Sequence, residues 1–127
     1  EEVPHEKVNL YGIVDCKEIE NFVFLIEDLI EKPGKDEAPS NLAILGRYIL
    51  TPEIFDAIRN TEPGKGNEIQ LTDAMRMLNM RERMYAYLFR GKRYDIGNKL
   101  DWLIANIEVA VSDSELGEAV KRFLNSI

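Results

Sequence analysis

A chain of 127 residues, 45% hydrophobic and 31% charged, has room for one core, too little for two, and too many apolar residues for disorder. Its net charge of −7 excludes a general nucleic-acid binder, which needs clustered Lys and Arg, and argues against an anionic membrane surface. The single cysteine, Cys16, allows no internal disulfide and fits a reducing compartment; no apolar run nears the ~20 residues of a membrane span, and no signal peptide is visible, so a cytoplasmic setting is expected.

In chain order, residues 1–10 are polar, contain Pro4 and read as a connection. Residues 11–15 (YGIVD) predict a short strand and residues 22–29 (FVFLIEDL) a second. Glu31-Lys32-Pro33-Gly34 signals a turn. Residues 42–50 (LAILGRYIL) predict a largely buried strand. Thr51-Pro52-Glu53 reads as a helix start with Thr51 as N-cap, and residues 54–59 as the helix. Residues 63–67 (PGKGN) form a glycine-rich loop. A helix follows from Thr72-Asp73, read as its cap, to about residue 80. Residues 84–89 (MYAYLF) predict a strand, Gly91 a turn and residues 93–96 another short strand. The spacing of Leu100, Leu103, Ile104, Ile107 and Val111 predicts a helix over 99–111. Asp113-Ser114 breaks it, with Ser114 as the next N-cap. Leu116, Val120, Phe123 and Leu124 mark a final amphipathic helix. Interleaved strands and helices predict an α/β class with a mixed sheet and flanking helices, in one domain spanning 1–127.

Few groups in this chain can carry chemistry. One His and one Cys cannot make a zinc site or a Cys/His dyad, and no Ser-His-Asp arrangement can be defended. Glu31-Lys32-Pro33 closes an apolar segment. A carboxylate there can accept from two sugar hydroxyls, and the ammonium beside it can pair with a phosphate oxygen. By spacing alone, a solvated charged turn is the simpler reading. Asp95, in Tyr94-Asp95-Ile96-Gly97, lies where a strand end meets a glycine. A lone carboxylate there suits Mg²⁺, which takes one or two protein carboxylates and leaves the rest to substrate phosphates. A turn residue or a helix N-terminal Asp is the alternative. Gly64-Lys65-Gly66-Asn67 has the glycine content of a phosphate loop but matches neither phosphate-loop pattern, and reads as a connector.

Taken in order, the strings YGIV at 11–14, EKP at 31–33, APSNLAI at 38–44, GRYILTPEIF at 46–55, EIQLTDA at 68–74 and GKRYDIG at 91–97 resemble the C-terminal part of UTP–glucose-1-phosphate uridylyltransferases. The resemblance covers nearly the whole chain. It implies a Rossmann-like nucleotide-diphospho-sugar transferase fold, of which this chain holds the sugar-phosphate half and lacks the N-terminal, UTP-binding half. By matching motif, Gly12 would offer its backbone N–H to glucose and Glu31 would accept from glucose hydroxyls. Lys32 would bind the phosphate of glucose 1-phosphate, and Asp95 would hold Mg²⁺; Lys32 and Asp95 are the expected catalytic groups. Asn41, Glu68 and Thr72 match motif positions without an assigned contact, and Asn98 stands where many relatives have an acidic residue. The implied partners are UTP and glucose 1-phosphate, with no nucleic acid and no membrane, and a homo-oligomer is expected. Absent its other half, the chain by itself is expected to be inactive. A thymidylyltransferase or related pyrophosphorylase, and a non-catalytic oligomerisation module, are the alternatives.

Overall fold

The computed structural model describes residues 1–127, the side chain of Lys65 excepted. They form two compact units, Glu1–Arg90 and Gly91–Ile127.

In the first unit, β1 (Gly12–Glu20) and β2 (Val23–Glu31) make an antiparallel hairpin, with Ile13 opposite Ile30 and Val14 opposite Leu29. Strand alternation sends neighbouring side chains to opposite faces. Ile13 is buried with Val3, Val8 and Ala43. Val14 and Leu29 join Ile54, Ala57, Met75 and Leu78 from two helices. Ile26 belongs to that second cluster too, although it lies an odd three positions before Leu29 and strict alternation would turn it away. The register shift between Asp15 and Cys16 resolves this: Asp15 opposes Asp28 while Cys16 opposes Ile26, leaving Glu27 as the extra residue. Such a bulge resets the phase of the strand.

The hairpin turns through Asn21 and Phe22, the latter at φ +66°, a left-handed conformation that costs a non-glycine residue roughly 1 kcal/mol. Neighbouring contacts hold it there. The Phe22 N–H donates to Glu18 Oε1 at 3.3 Å, the Leu88 N–H donates to its carbonyl at 2.8 Å, and the Arg90 guanidinium lies 4.4 Å over its ring.

Helices α1 (Ile54–Asn60) and α2 (Leu71–Asn79) cover one face of the sheet. In α2, Leu71, Ala74, Met75 and Leu78 follow the i, i+3, i+4, i+7 stripe of a core-facing helix. A two-pronged pair ties α2 to β2: Arg76 Nε and a terminal nitrogen donate to the two Asp28 oxygens at 2.6 and 2.7 Å. β3 (Tyr85–Tyr87) pairs antiparallel with β2, giving the order β1-β2-β3. The α/β class with flanking helices is borne out, and these three strands all pair antiparallel.

Several expectations need correction. Residues 1–10 are not a plain connection: His5–Leu10 is a 3₁₀ helix that buries Val8 completely. Residues 42–50 form no strand. Only Leu42 and Ala43 make isolated bridges, to Glu2 and Ile13, and Gly46 at φ +67° then turns the backbone out of the ladder, leaving Ile49 fully exposed. Thr51 does not cap α1; its hydroxyl donates to Glu82 at 2.9 Å. Strand 84–89 shrinks to three residues because β2 ends its pairing at Val23.

The second unit holds α3 (Lys99–Ser112) and α4 (Gly117–Leu124). Asn98 Oδ1 accepts from the N–H groups of Leu100 and Asp101 at 2.8 and 3.2 Å, capping α3. The strand expected at 93–96 is absent; there, Lys92 and Tyr94 both hydrogen-bond Glu108 on α3 instead of lining a ladder. Asp113, not Ser114, precedes α4 as the acceptor: its Oδ1 takes the N–H groups of Glu115 and Leu116 at 2.8 and 2.9 Å.

Candidate functional site

Strand pairing places Glu31, the last residue of β2, opposite Gly12, the first of β1. The Glu31 side chain is 12% exposed, and Lys32 Nζ lies 3.4 Å from its Oε1. Its Oε2 accepts the Thr72 hydroxyl at 2.6 Å. Thr72 is itself buried, in the first turn of α2. Three elements therefore meet at one carboxylate, and the partial positive charge of the α2 N-terminus favours an anion there.

Lys32 follows at φ +46°. A non-glycine residue in the left-handed region is strained, by about 1–3 kcal/mol, and the position ahead of proline ordinarily selects extended backbone. The surroundings fix it: its N–H donates to the Tyr11 carbonyl at 2.9 Å, and Pro33 behind it is buried. Observed strain of this sort is commonest where function holds the backbone. The turn turns the chain sharply at the end of β2, so that Glu31 stays in the wall while 41% of the Lys32 side chain remains in solvent.

Gly12 is buried, and its backbone closes against the same cluster. A Cβ there would sit 3.0 Å from Thr72 Oγ1, 3.0 Å from Ile44 Cδ1 and 3.1 Å from Glu31 Oε2. Only glycine lets the strand approach this closely. Tyr48 lies near enough to feel the cluster: burial pushes its hydroxyl above the ordinary value, and the negative charge of Glu31 pushes it further. Beside this cluster a groove of about 390 Å³ runs along the sheet, lined among others by Phe24, Ile44, Tyr48, Leu50, Met84 and Tyr87.

Asp95 lies in the second unit, in the turn before α3. It is exposed, and its Oδ1 accepts the N–H of Gly97 at 3.2 Å. Among the described residues no group of three or more His, Cys, Asp or Glu side chains is arranged to hold a metal ion. An exposed single carboxylate fits Mg²⁺ as one ligand, the remaining oxygens coming from phosphates and water.

Gly12, Glu31 and Lys32, 20 residues apart in sequence at their widest, are thus brought together in the first unit. Of the motif positions without an assigned contact, Thr72 joins Glu31, in place of the capping role read for it. Asn41 instead donates to the Val3 carbonyl at 3.3 Å, and Glu68 is exposed. Tyr48 was hidden inside a stretch read as buried strand. One sequence signal did point to Thr72: it shares a helix face with Met75, three residues on, so a polar group stands on a core-facing stripe.

A carboxylate held at the end of a strand, an ammonium at its shoulder and a bare backbone opposite form a candidate site in an α/β unit. It suits a ligand carrying hydroxyls and an anionic group. The nucleotidyl transferase family model matches residues 2–111, and the chain belongs to that family.

Its relatives are more particular. The chain is 44% identical over 127 residues to the UTP–glucose-1-phosphate uridylyltransferase of Staphylococcus epidermidis, covering 100% of this chain and 44% of that protein. It is 45% identical to the enzyme of that name from Bacillus subtilis, with the same coverage. Among solved structures, a UDP-glucose pyrophosphorylase complexed with UDP-glucose matches with a TM-score of 0.78 and 42% identity, over 100% of this chain and 43% of that one. A UTP-bound UGPase from Acinetobacter baumannii matches with a TM-score of 0.84 and 35% identity, over 98% and 43%. The chain therefore spans less than half the length of the relatives it matches. Among the described residues, no helix is long and apolar enough to cross a membrane.

Proposed function

We propose that this chain is the sugar-phosphate part of a UTP–glucose-1-phosphate uridylyltransferase, acting as one domain across residues 1–127 in a cytoplasmic enzyme whose UTP-binding part lies in the rest of the full-length protein. The observation that carries the reading is the Glu31–Lys32 pair facing Gly12 at the end of β2. Glu31 accepts from glucose hydroxyls, the Gly12 N–H donates to the sugar, and Lys32 pairs with the phosphate of glucose 1-phosphate. Asp95 holds Mg²⁺, which when bound screens the negative charge of the phosphates.

In this reading a phosphate oxygen of glucose 1-phosphate attacks the α-phosphorus of UTP. The bond to the β-phosphate bridging oxygen breaks, and UDP-glucose and pyrophosphate result. Two anions must approach in line, so the work of the protein is positioning and charge neutralisation. Lys32 lowers the repulsion, and Glu31 fixes the sugar so that its phosphate faces the nucleotide. No covalent intermediate on the protein is required.

Lys32→Glu and Asp95→Asn in the full-length protein test this. Each is expected to cut UDP-glucose formation at least 100-fold, the scale of losing one charge-stabilising contact. Wild-type turnover in both would refute it. This chain alone is expected to bind glucose 1-phosphate weakly in calorimetry with Mg²⁺ and to give no product with UTP. The apolar groove beside the site is covered by the rest of the fold in the full-length protein, and the separate chain is expected to self-associate through it. A clean monomer in light scattering at micromolar concentration would refute that step.

A further inference from the structure

We infer that Thr72 is the positioning residue for the Glu31 carboxylate, and that it sets how strongly the site discriminates among sugar 1-phosphates by the hydroxyls they carry. This rests on the reading of Glu31 as the acceptor of sugar hydroxyls.

Glu31 is a flexible side chain at a strand end, next to a residue in a strained conformation. A free carboxylate there would sample several rotamers and would lose that freedom on meeting a ligand. Here both oxygens are held. Oε2 accepts the Thr72 hydroxyl at 2.6 Å, and Oε1 lies 3.4 Å from Lys32 Nζ. The two tethers differ in kind. Lys32 is 41% exposed on a long stem. Thr72 is a short, β-branched residue in the first turn of a helix that Arg76 clamps to the same strand, and its χ1 is restricted by branching. Thr72 therefore dictates the plane of the carboxylate, and Lys32 follows it. Gly12 completes the arrangement, since a Cβ there would press on both oxygens of the Thr72–Glu31 bond.

A carboxylate oxygen has two lone pairs. With one on Oε2 used by Thr72, the rest are left in a fixed plane for a ligand's hydroxyl pair. Sugars with that pair altered are rejected because the fixed acceptor cannot turn to another partner. Thr72 does not touch substrate in this scheme. It acts through Glu31.

The test is steady-state kinetics on the full-length protein with glucose 1-phosphate, its 2-deoxy analogue and UTP. Thr72→Val keeps the shape and removes the hydroxyl. It is expected to raise the KM for glucose 1-phosphate roughly 2- to 10-fold, the cost of immobilising one freed side chain on binding. It is also expected to narrow the preference over the deoxy analogue and leave the KM for UTP unchanged. Thr72→Ser should restore both properties. In a Glu31→Ala background, which has no acceptor for the hydroxyl, Thr72→Val should add nothing. Thr72→Ala replaces the valine variant if that one does not fold. A wild-type KM and preference in Thr72→Val, no rescue by Ser, or additivity with Glu31→Ala would overturn the assignment while leaving the role of Glu31 standing. A Glu31→Ala enzyme indistinguishable from wild type would overturn both.

Discussion

Adding one methyl group at Gly12 probes the site and the fold at once. The Cβ of Gly12→Ala would arrive 3.0 Å from Ile44 Cδ1, 3.0 Å from Thr72 Oγ1 and 3.1 Å from Glu31 Oε2. Ordinary contact begins near 3.4 Å, so each neighbour must retreat by a few tenths of an ångström. Ile44 offers a terminal methyl, which can swing. Thr72 and Glu31 cannot both retreat freely, because their own 2.6 Å hydrogen bond joins the two atoms being pushed. Overpacking of this kind costs about 1–3 kcal/mol. Bending a hydrogen bond to a charged group forfeits part of its ~1.5–3 kcal/mol. Replacing glycine by alanine in a strand returns about 0.5–1 kcal/mol through the unfolded chain. The net expectation is a loss of about 1–3 kcal/mol, a fall in Tm of roughly 4–12 °C for a domain of this size. Thermal and urea unfolding of the two proteins measure it. In a Thr72→Ala background the methyl finds room, so the two changes should be less than additive. An unfolding midpoint that stays put or rises in Gly12→Ala would refute the close approach argued for β1.

Leu29→Ala empties a position that is 2% exposed between the sheet and the helices; urea titration should show a loss of about 2–5 kcal/mol. Asn98→Ala removes the cap of α3 and is expected to lower stability by about 0.5–2 kcal/mol, read as reduced helicity of α3 in circular dichroism and amide exchange. Hydrogen bonds from the Lys92 ammonium and then the Tyr94 hydroxyl hold the Glu108 carboxyl below its ordinary value of 4.5. A lowered folded value means the interaction contributes fully above about pH 4.5 and is lost as pH falls through the folded value. A carboxyl carbon titration by NMR should give a Glu108 midpoint below 4.5, and a midpoint at or above it would refute the pairing.

Legibility in the sequence followed the reach of each signal. The hairpin partner β2 and the helices α2 and α3 were readable because their apolar spacing is local. The stretch 42–50 was not, because its apolar residues suit a strand while Gly46 at φ +67° breaks the extension. The bulge at Asp15–Cys16 has no local signature, yet it decides that Ile26 and Leu29 share a face. In the site, Glu31-Lys32-Pro33 could be singled out as a charged pair at a segment end. What it meets could not: the Thr72 hydroxyl lies 41 residues further on and was read as a cap, the commonest use of such a residue near a helix start. The capping roles given to Thr51 and Ser114 failed too: the Thr51 hydroxyl donates to Glu82, 31 residues further on, and Asp113 takes the N–H groups that Ser114 would have capped.

The left-handed turn at Lys32 sets stability and chemistry against each other. A glycine would accept φ +46° at no steric cost, so selection for thermal tolerance alone should replace this lysine early. Variants chosen that way would melt higher and have lost the cation that the sugar phosphate is proposed to meet. A lysine that persists there under selection for activity marks a position where the backbone would prefer another residue.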